Sequence, residues 1–205
     1  MSSKSEEIKN RLLRALPQLQ CKKCTYKDCE SYAESIINKN ESLDKCEPGS
    51  KLTQNQLSDI MNGSTTEVII NKIENFSIAE IKADECIGCT ICIKVCPVDA
   101  IIGAKHKLHF VINDKCNGCE LCISECPVDC MKMTINHHGK SWNWPSQQAD
   151  QSNDFYQNKR IRIDKLKKDK YLVKEQLNSS AKIKLYIKDA LSREEKKHSQ
   201  IKEYE

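Results

Sequence analysis

A run of four cysteines occurs twice in this chain with the spacing C-x2-C-x2-C-x3-C-P, and this repeat constrains the fold more than any other feature. The first run is Cys86, Cys89, Cys92 and Cys96, and the second is Cys116, Cys119, Cys122 and Cys126. Residues 80–102 align with residues 110–132 at a constant offset of 30 positions, and a Pro-Val-Asp segment follows each run. Such a duplication predicts two equivalent half-domains related by pseudo-twofold symmetry.

The thirteen cysteines of the chain are better suited to metal binding than to disulfides. Thirteen is an odd number, and the sequence does not open on a basic segment followed by an apolar stretch, as a secretory signal would. Cysteine-rich chains of this kind usually use thiolates as metal ligands, because the cytosol keeps thiols reduced. With only two Trp and three Phe, the hydrophobic core should be thin, and bound metal would help to stabilise it.

Each run suits a [4Fe–4S] cluster, which needs four thiolates at its iron corners. Three closely spaced cysteines let one loop hold three corners, and Gly88 and Gly118 accept the positive φ values that such a loop needs. In two-cluster ferredoxins the fourth cysteine of each run ligates the other cluster. This rule predicts one cluster on Cys86, Cys89, Cys92 and Cys126, and another on Cys116, Cys119, Cys122 and Cys96. Structural zinc is the alternative, but zinc prefers two cysteine pairs around one tetrahedron and has no need of the third close cysteine.

Residues 78–135 resemble bacterial ferredoxins of the two-[4Fe–4S] type, and the resemblance implies an α+β fold with two short helices and small two-stranded sheets. The residue pattern agrees, since 78–82 and 131–135 are typical of outer strands, and 100–102 with 109–112 of a hairpin. Earlier in the chain, helical spacing predicts helices over 5–16 and 54–61. Cys130 stands outside the repeated run and is expected to be a small buried residue, with a redox or spare-ligand role as the alternative.

A separate block of cysteines precedes the repeat with the spacing C-x2-C-x4-C-x16-C, namely Cys21, Cys24, Cys29 and Cys46. From the spacing alone, this block could hold zinc or an iron–sulfur cluster. Together with residues 16–20 and with Tyr26, Tyr32 and Ala33, it resembles the one-cluster [4Fe–4S] domain found in the B subunit of Rnf-type electron transport complexes and in corrinoid iron–sulfur proteins. The resemblance implies a third [4Fe–4S] cluster on these four cysteines.

The order of the two parts resembles the Rnf B subunit throughout residues 8–135. That family feeds electrons through a membrane complex that links ferredoxin and NAD oxidation states to ion transport, or reduces a redox-sensing regulator. The implied partners are redox proteins, including other subunits of such a complex. The family's usual apolar anchor is not found, and the apolar runs are too short to span a bilayer. We therefore expect the soluble, anchor-free branch, without direct membrane insertion: a cytoplasmic protein held peripherally at the inner membrane through a complex.

We predict an α+β chain in four parts: a helical one-cluster domain (1–62), a linker (63–76), a two-[4Fe–4S] ferredoxin domain (77–138) and a basic, helical or disordered tail (139–205). The tail has 16 Lys and Arg residues against 10 Asp and Glu residues. It could be a solvated helix or an electrostatic docking arm for an acidic redox partner, and its few aromatic residues and lack of a recognised motif disfavour nucleic acid. Trp142 and Trp144 are expected to pack against the ferredoxin domain, and the five histidines to be surface or packing residues.

The sequence has no Gly-rich nucleotide loop, nucleophile–base pair or acid–base constellation, so no catalytic residue is assigned. The favoured hypothesis is a protein that relays single electrons through three [4Fe–4S] clusters. Three alternatives stay open at this point. They are a free-standing ferredoxin-like carrier for another reductase or redox regulator, a structural or nucleic-acid-associated iron–sulfur protein, and an enzyme with an open-corner cluster.

Overall fold

The structure, a computed structural model, describes residues 3–135 and 141–202. The helices are α1 (Ser3–Ala15), α2 (Cys29–Lys39), α3 (Ser50–Met61), α4 (Ile91–Val95), α5 (Leu121–Ser124) and α6 (Gln147–Lys202). The strands are β1 (Asn71–Ile73), β2 (Ser77–Ile81), β3 (Ile101–Ile102), β4 (Phe110–Val111), β5 (Met131–Ile135) and β6 (Trp142–Trp144). This mixture of helices and two-stranded sheets confirms the α+β class.

The first three helices pack around a small apolar core. Helix α1 buries Leu12 and Ala15, which are three residues apart and therefore share one face. Helix α2 begins after Asp28, whose side chain accepts a hydrogen bond from the Ser31 N–H at 2.7 Å and so caps the helix. Helices α1 and α3 confirm the predicted helices, whereas α2 was not predicted because its sequence lies inside the first cysteine block.

The ferredoxin-like part has two short sheets related by the sequence repeat. Strands β2 and β5 pair antiparallel from Ser77↔Ile135 to Ile81↔Met131. Strands β3 and β4 pair antiparallel through Ile101↔Val111 and Ile102↔Phe110. Both pairings confirm the strands and the hairpin predicted from the sequence. The short helices α4 and α5 occupy equivalent positions, each beginning two residues after the second cysteine of its run.

A third sheet, formed by β1 and β6, joins the ferredoxin-like part to the helices. Trp142 and Trp144 of β6 are each only 2% exposed and belong to the ferredoxin-like core, as predicted. The Trp142 Nε1–H donates to the Pro17 carbonyl at 2.8 Å. The Trp144 Nε1–H donates to the Ala15 carbonyl at 3.1 Å and to Thr53 Oγ1 at 3.2 Å. The two indoles therefore fix the end of α1 and the side of α3 against the ferredoxin-like part.

Helix α6 divides at Lys159. Its first part packs with the preceding domains, and the residues from Arg160 onward form a second unit. In the first part, Ser152 Oγ donates to the Gln18 carbonyl at 2.8 Å, and the Tyr156 hydroxyl donates to Asp28 Oδ2 at 2.9 Å. These contacts place residues 147–159 beside the first cysteine block. The domain boundaries given above stay predictions.

The second unit is helical through Lys202 and exposes apolar side chains such as Leu172 and Ile183. Within residues 3–135 and 141–202, no helix combines the length and the hydropathy needed to cross a bilayer.

Trp144→Phe tests how much the indole hydrogen bonds stabilise the junction. The variant keeps most of the buried ring but removes the N–H that donates to the Ala15 carbonyl and to Thr53 Oγ1. We expect the free energy of unfolding to fall by about 1 to 3 kcal/mol, measured as a shift of the denaturant midpoint of anaerobically prepared protein. The control is Phe110→Leu, at an aromatic residue that is 57% exposed, which should change stability by less than about 0.5 kcal/mol. Equal losses in the two variants would contradict this role for Trp144.

Candidate iron–sulfur centres

The four cysteines of the first block line one cavity between the end of α1 and the start of α2. Burial raises the pKa of the Cys46 thiol to about 12, and the nearby Cys21 and Cys24 thiols add to the rise. Burial also raises the pKa of the Cys29 thiol, with further contributions from the other three. The four cysteines predicted to form this set therefore lie around one cavity.

The loop that carries this first set has a left-handed backbone at residues that are not glycine. The φ angles are 55° at Gln18, 55° at Gln20, 62° at Lys22 and 69° at Thr25. Non-glycine residues adopt this conformation at a cost, and such strain is characteristic of functional sites. The Gln20 side chain holds the loop in place, because its Oε1 accepts a hydrogen bond from the Cys29 N–H at 2.9 Å.

The second set brings thiols together from both halves of the repeat: Cys86, Cys89, Cys92 and Cys126. Burial raises the pKa of the Cys92 thiol to about 11, and Cys89, Cys86 and Cys126 add to the rise. Cys126 comes from the second run, so this group contains thiols from both halves of the repeat. His109 lies beside this set. It is 2% exposed, and its Nδ1 lies 3.3 Å from Cys92 Sγ.

The third set is the equivalent of the second in the repeat, and its members line one cavity: Cys96, Cys116, Cys119 and Cys122. Burial raises the pKa of the Cys122 thiol to about 12, with contributions from Cys116 and Cys96. Backbone N–H groups point at two of these sulfurs. The Ala100 N–H donates to Cys96 Sγ at 3.2 Å, and the Ala79 N–H donates to Cys116 Sγ at 3.5 Å.

The two glycines of the repeat occupy positions that only glycine fits. Gly88 and Gly118 both have φ of +67°. A Cβ on Gly88 would lie 2.5 Å from the Lys107 backbone nitrogen, and a Cβ on Gly118 would lie 2.7 Å from the Ser77 carbonyl oxygen. The predicted tight loops are therefore confirmed, and they are closed from outside by neighbouring backbone.

Two neighbours of the second set were not assigned to it from the sequence. Cys130 is buried as expected, and its Sγ lies 3.5 Å from Cys126 Sγ. His109 was expected only to be a surface or packing residue, because the five histidines show no ligand spacing beside acidic partners. His106 is exposed. His137, His138 and the side chain of His198 lie outside the described residues.

The donors of each set are of the kind that holds iron–sulfur clusters. Each set consists of thiols alone, with N–H groups directed at sulfur in the third set. In the part of the chain that the structure describes, no three His, Cys, Asp or Glu side chains converge closely enough to hold one metal ion. The role of the twelve cysteines as ligands stays a prediction.

The first and third sets are joined by a short contact region. Between two cysteines of the first block, Lys23 Nζ lies 3.2 Å from Glu120 Oε2, which is next to Cys119. The Asn117 amide, between the first two cysteines of the second run, donates to the Leu19 carbonyl at 2.9 Å. The loops of these two sets therefore touch directly.

Comparison with known proteins agrees with this geometry. A family model for a 4Fe-4S dicluster domain matches residues 79–133, and a model for an Fe-S cluster matches residues 16–48. Three similar proteins are each named as the B subunit of an ion-translocating oxidoreductase complex. The protein from Shewanella pealeana is 48% identical over 131 residues, which are 63% of this chain and 69% of that protein.

The protein from Vibrio campbellii is 46% identical over 144 residues, covering 68% of this chain and 72% of that protein. The protein from Aliivibrio salmonicida is 45% identical over 142 residues, covering 68% and 73%. The resemblance to the Rnf B subunit inferred from the cysteine blocks is confirmed. With two iron–sulfur family models matched and relatives aligned over more than two thirds of their length, the chain belongs to the B-subunit family of ion-translocating oxidoreductase complexes.

Proposed function

We propose that this protein relays single electrons through three [4Fe–4S] clusters. The observation that carries the proposal is the arrangement of twelve cysteines in three groups of four. The first and third groups each line one cavity, and in the second group Cys86, Cys89 and Cys126 lie close enough to Cys92 to raise the pKa of its thiol. The proposed ligand sets are Cys21, Cys24, Cys29 and Cys46; Cys86, Cys89, Cys92 and Cys126; and Cys116, Cys119, Cys122 and Cys96.

A bound cluster would supply reversible one-electron chemistry with little change in geometry. The chain's own residues bind and tune it. Thiolates hold the iron, and the buried surroundings exclude water. The Ala100 N–H and Ala79 N–H groups lower the negative charge felt at the sulfurs, which is one of the levers that set a cluster potential.

We further propose that the first set exchanges electrons with the third set rather than directly with the second. The Lys23–Glu120 ion pair and the Asn117–Leu19 hydrogen bond bring the first loop against the loop of Cys116 and Cys119. The pseudo-twofold repeat then leads from the third set to the second. This order gives a linear path with the first and second sets at its ends.

The proposed partners are redox proteins, including other subunits of a membrane complex. Relatives are named as subunits of an ion-translocating oxidoreductase complex. We propose that this chain acts in such a complex, on the cytoplasmic face of the membrane. Recovery of this protein with the membrane fraction, and its release when the other subunits are deleted, is the expected result of a fractionation experiment.

Reversible reduction tests the relay itself. Potentiometric titration of the anaerobically purified protein, followed by electron paramagnetic resonance, should show clusters that each accept and release one electron. Clusters that stay silent over the accessible range of potential would contradict the relay and favour a structural role.

The metal content of cysteine variants tests the first site. The wild-type chain should contain about twelve irons with matching acid-labile sulfide, since each [4Fe–4S] cluster holds four. Cys24→Ser should lower the content to about eight irons. The matched control is Cys130→Ser, which removes a thiol outside the proposed sets and should keep about twelve. A wild-type protein loaded with zinc, or one with eight irons that Cys24→Ser leaves unchanged, would contradict an iron–sulfur cluster at the first set.

The crossed ligation is tested by comparing spectra of three single variants. Cys96→Ser should remove the same paramagnetic signal as Cys119→Ser, because both residues belong to the third set. Cys89→Ser should remove a different signal. If Cys96→Ser instead matches Cys89→Ser, each run holds its own cluster and the crossing is wrong.

A further inference from the structure

Lys159 is a buried cation at the end of the first part of α6. The residue is only 7% exposed, and its Nζ donates to three carbonyls at the end of α4: Ile93 at 3.2 Å, Lys94 at 3.0 Å, and Cys96. It also forms an ion pair with Asp99, whose Oδ1 lies 3.2 Å away. A lysine is rarely buried unless its charge is paired and its donors are used.

The contacts of Lys159 supply additional hydrogen bonds at the end of α4. The last carbonyls of a helix have no partner within the helix, and α4 has only five residues. The ammonium group of Lys159, which belongs to α6, donates hydrogen bonds to these carbonyls. A cation is also electrostatically favourable at the C-terminus of a helix. Cys96 is thereby fixed at both ends, because its carbonyl accepts from Lys159 while its Sγ accepts from the Ala100 N–H.

The position of Lys159 is itself fixed by neighbours on the same helix. Ser152 and Tyr156 hold this part of α6 against the first cysteine block through Gln18 and Asp28. The ammonium group is therefore held beside Cys96, the cysteine of the first run that belongs to the third set.

We propose that Lys159 is a positioning residue that raises the reduction potential of the cluster assigned to Cys96, Cys116, Cys119 and Cys122. This inference rests on the proposed function. Reduction adds one electron, supplied by a redox partner or in the experiment by the electrode mediator, and makes the cluster more negative. A buried cation stabilises that reduced form more than the oxidised form, because charges interact strongly where water is excluded. Lys159 thus favours the flow of electrons into the third set.

The experiment uses the full-length protein with its clusters, purified anaerobically, and measures iron content and all midpoint potentials. In Lys159→Gln a donor remains but the charge is lost, and we expect unchanged iron content with one midpoint potential shifted to a more negative value. Lys159→Arg keeps the charge and should stay near the wild-type potential. The control is Lys94→Gln, which removes an exposed lysine from α4 itself and should leave every midpoint in place.

A second variant keeps the test decisive if Lys159→Gln fails to retain its clusters. Asp99→Asn leaves the carbonyl contacts of Lys159 intact but removes the opposing charge, and asparagine tolerates the φ of 51° found there. The same midpoint should then shift to a more positive value. Full iron content with no shift in Lys159→Gln, or no shift in Asp99→Asn, overturns the inference. Neither result bears on the relay, which fails only if the wild-type clusters cannot be reduced.

Discussion

The thiols of three cysteine sets, buried or half-buried, have to be held close together by a chain with few large apolar side chains. The elements that carry them are short, since α4 has five residues and α5 has four. Helices of that length are not stable alone. Their positions depend on contacts from elsewhere: backbone that closes over Gly88 and Gly118, and the ammonium group of Lys159 at the end of α4. If the proposed clusters bind, Cys96 and Cys126 would tie each half to the other.

The parts of the structure that could be predicted are those that depend on residue spacing and periodicity within a short stretch of sequence. The cysteine spacing predicted three groups of thiols, and the rule for two-cluster ferredoxins predicted that Cys96 and Cys126 each join the group of the other half; their role as ligands stays a prediction. Helical periodicity predicted α1 and α3, and β-branched residues predicted the strands around the second and third sets. The presence of tryptophans at the edge of the ferredoxin-like part predicted their burial, but not that their indole nitrogens reach Ala15 and Pro17.

The parts that could not be predicted depend on contacts between distant segments. The composition of residues 139–205 predicted a single basic tail. In the structure, however, the side chains of Ser152, Tyr156 and Lys159 each donate a hydrogen bond to a residue more than 60 positions away in the sequence. Such pairings leave no local periodicity. The left-handed loop around Gln20 is similar, because its strain is compensated by a side-chain hydrogen bond that no spacing rule contains.

The β1–β6 sheet has a consequence for how this protein can evolve. Strand β1 enters and strand β6 leaves the ferredoxin-like part, and Asn71 pairs with Trp144. The segment thus begins and ends at the same place, like a loop inserted between two adjacent points of a host. Segments with neighbouring ends are those that proteins gain, lose and exchange most readily. A ferredoxin of different redox character could therefore replace the present one while the surrounding helices keep their positions.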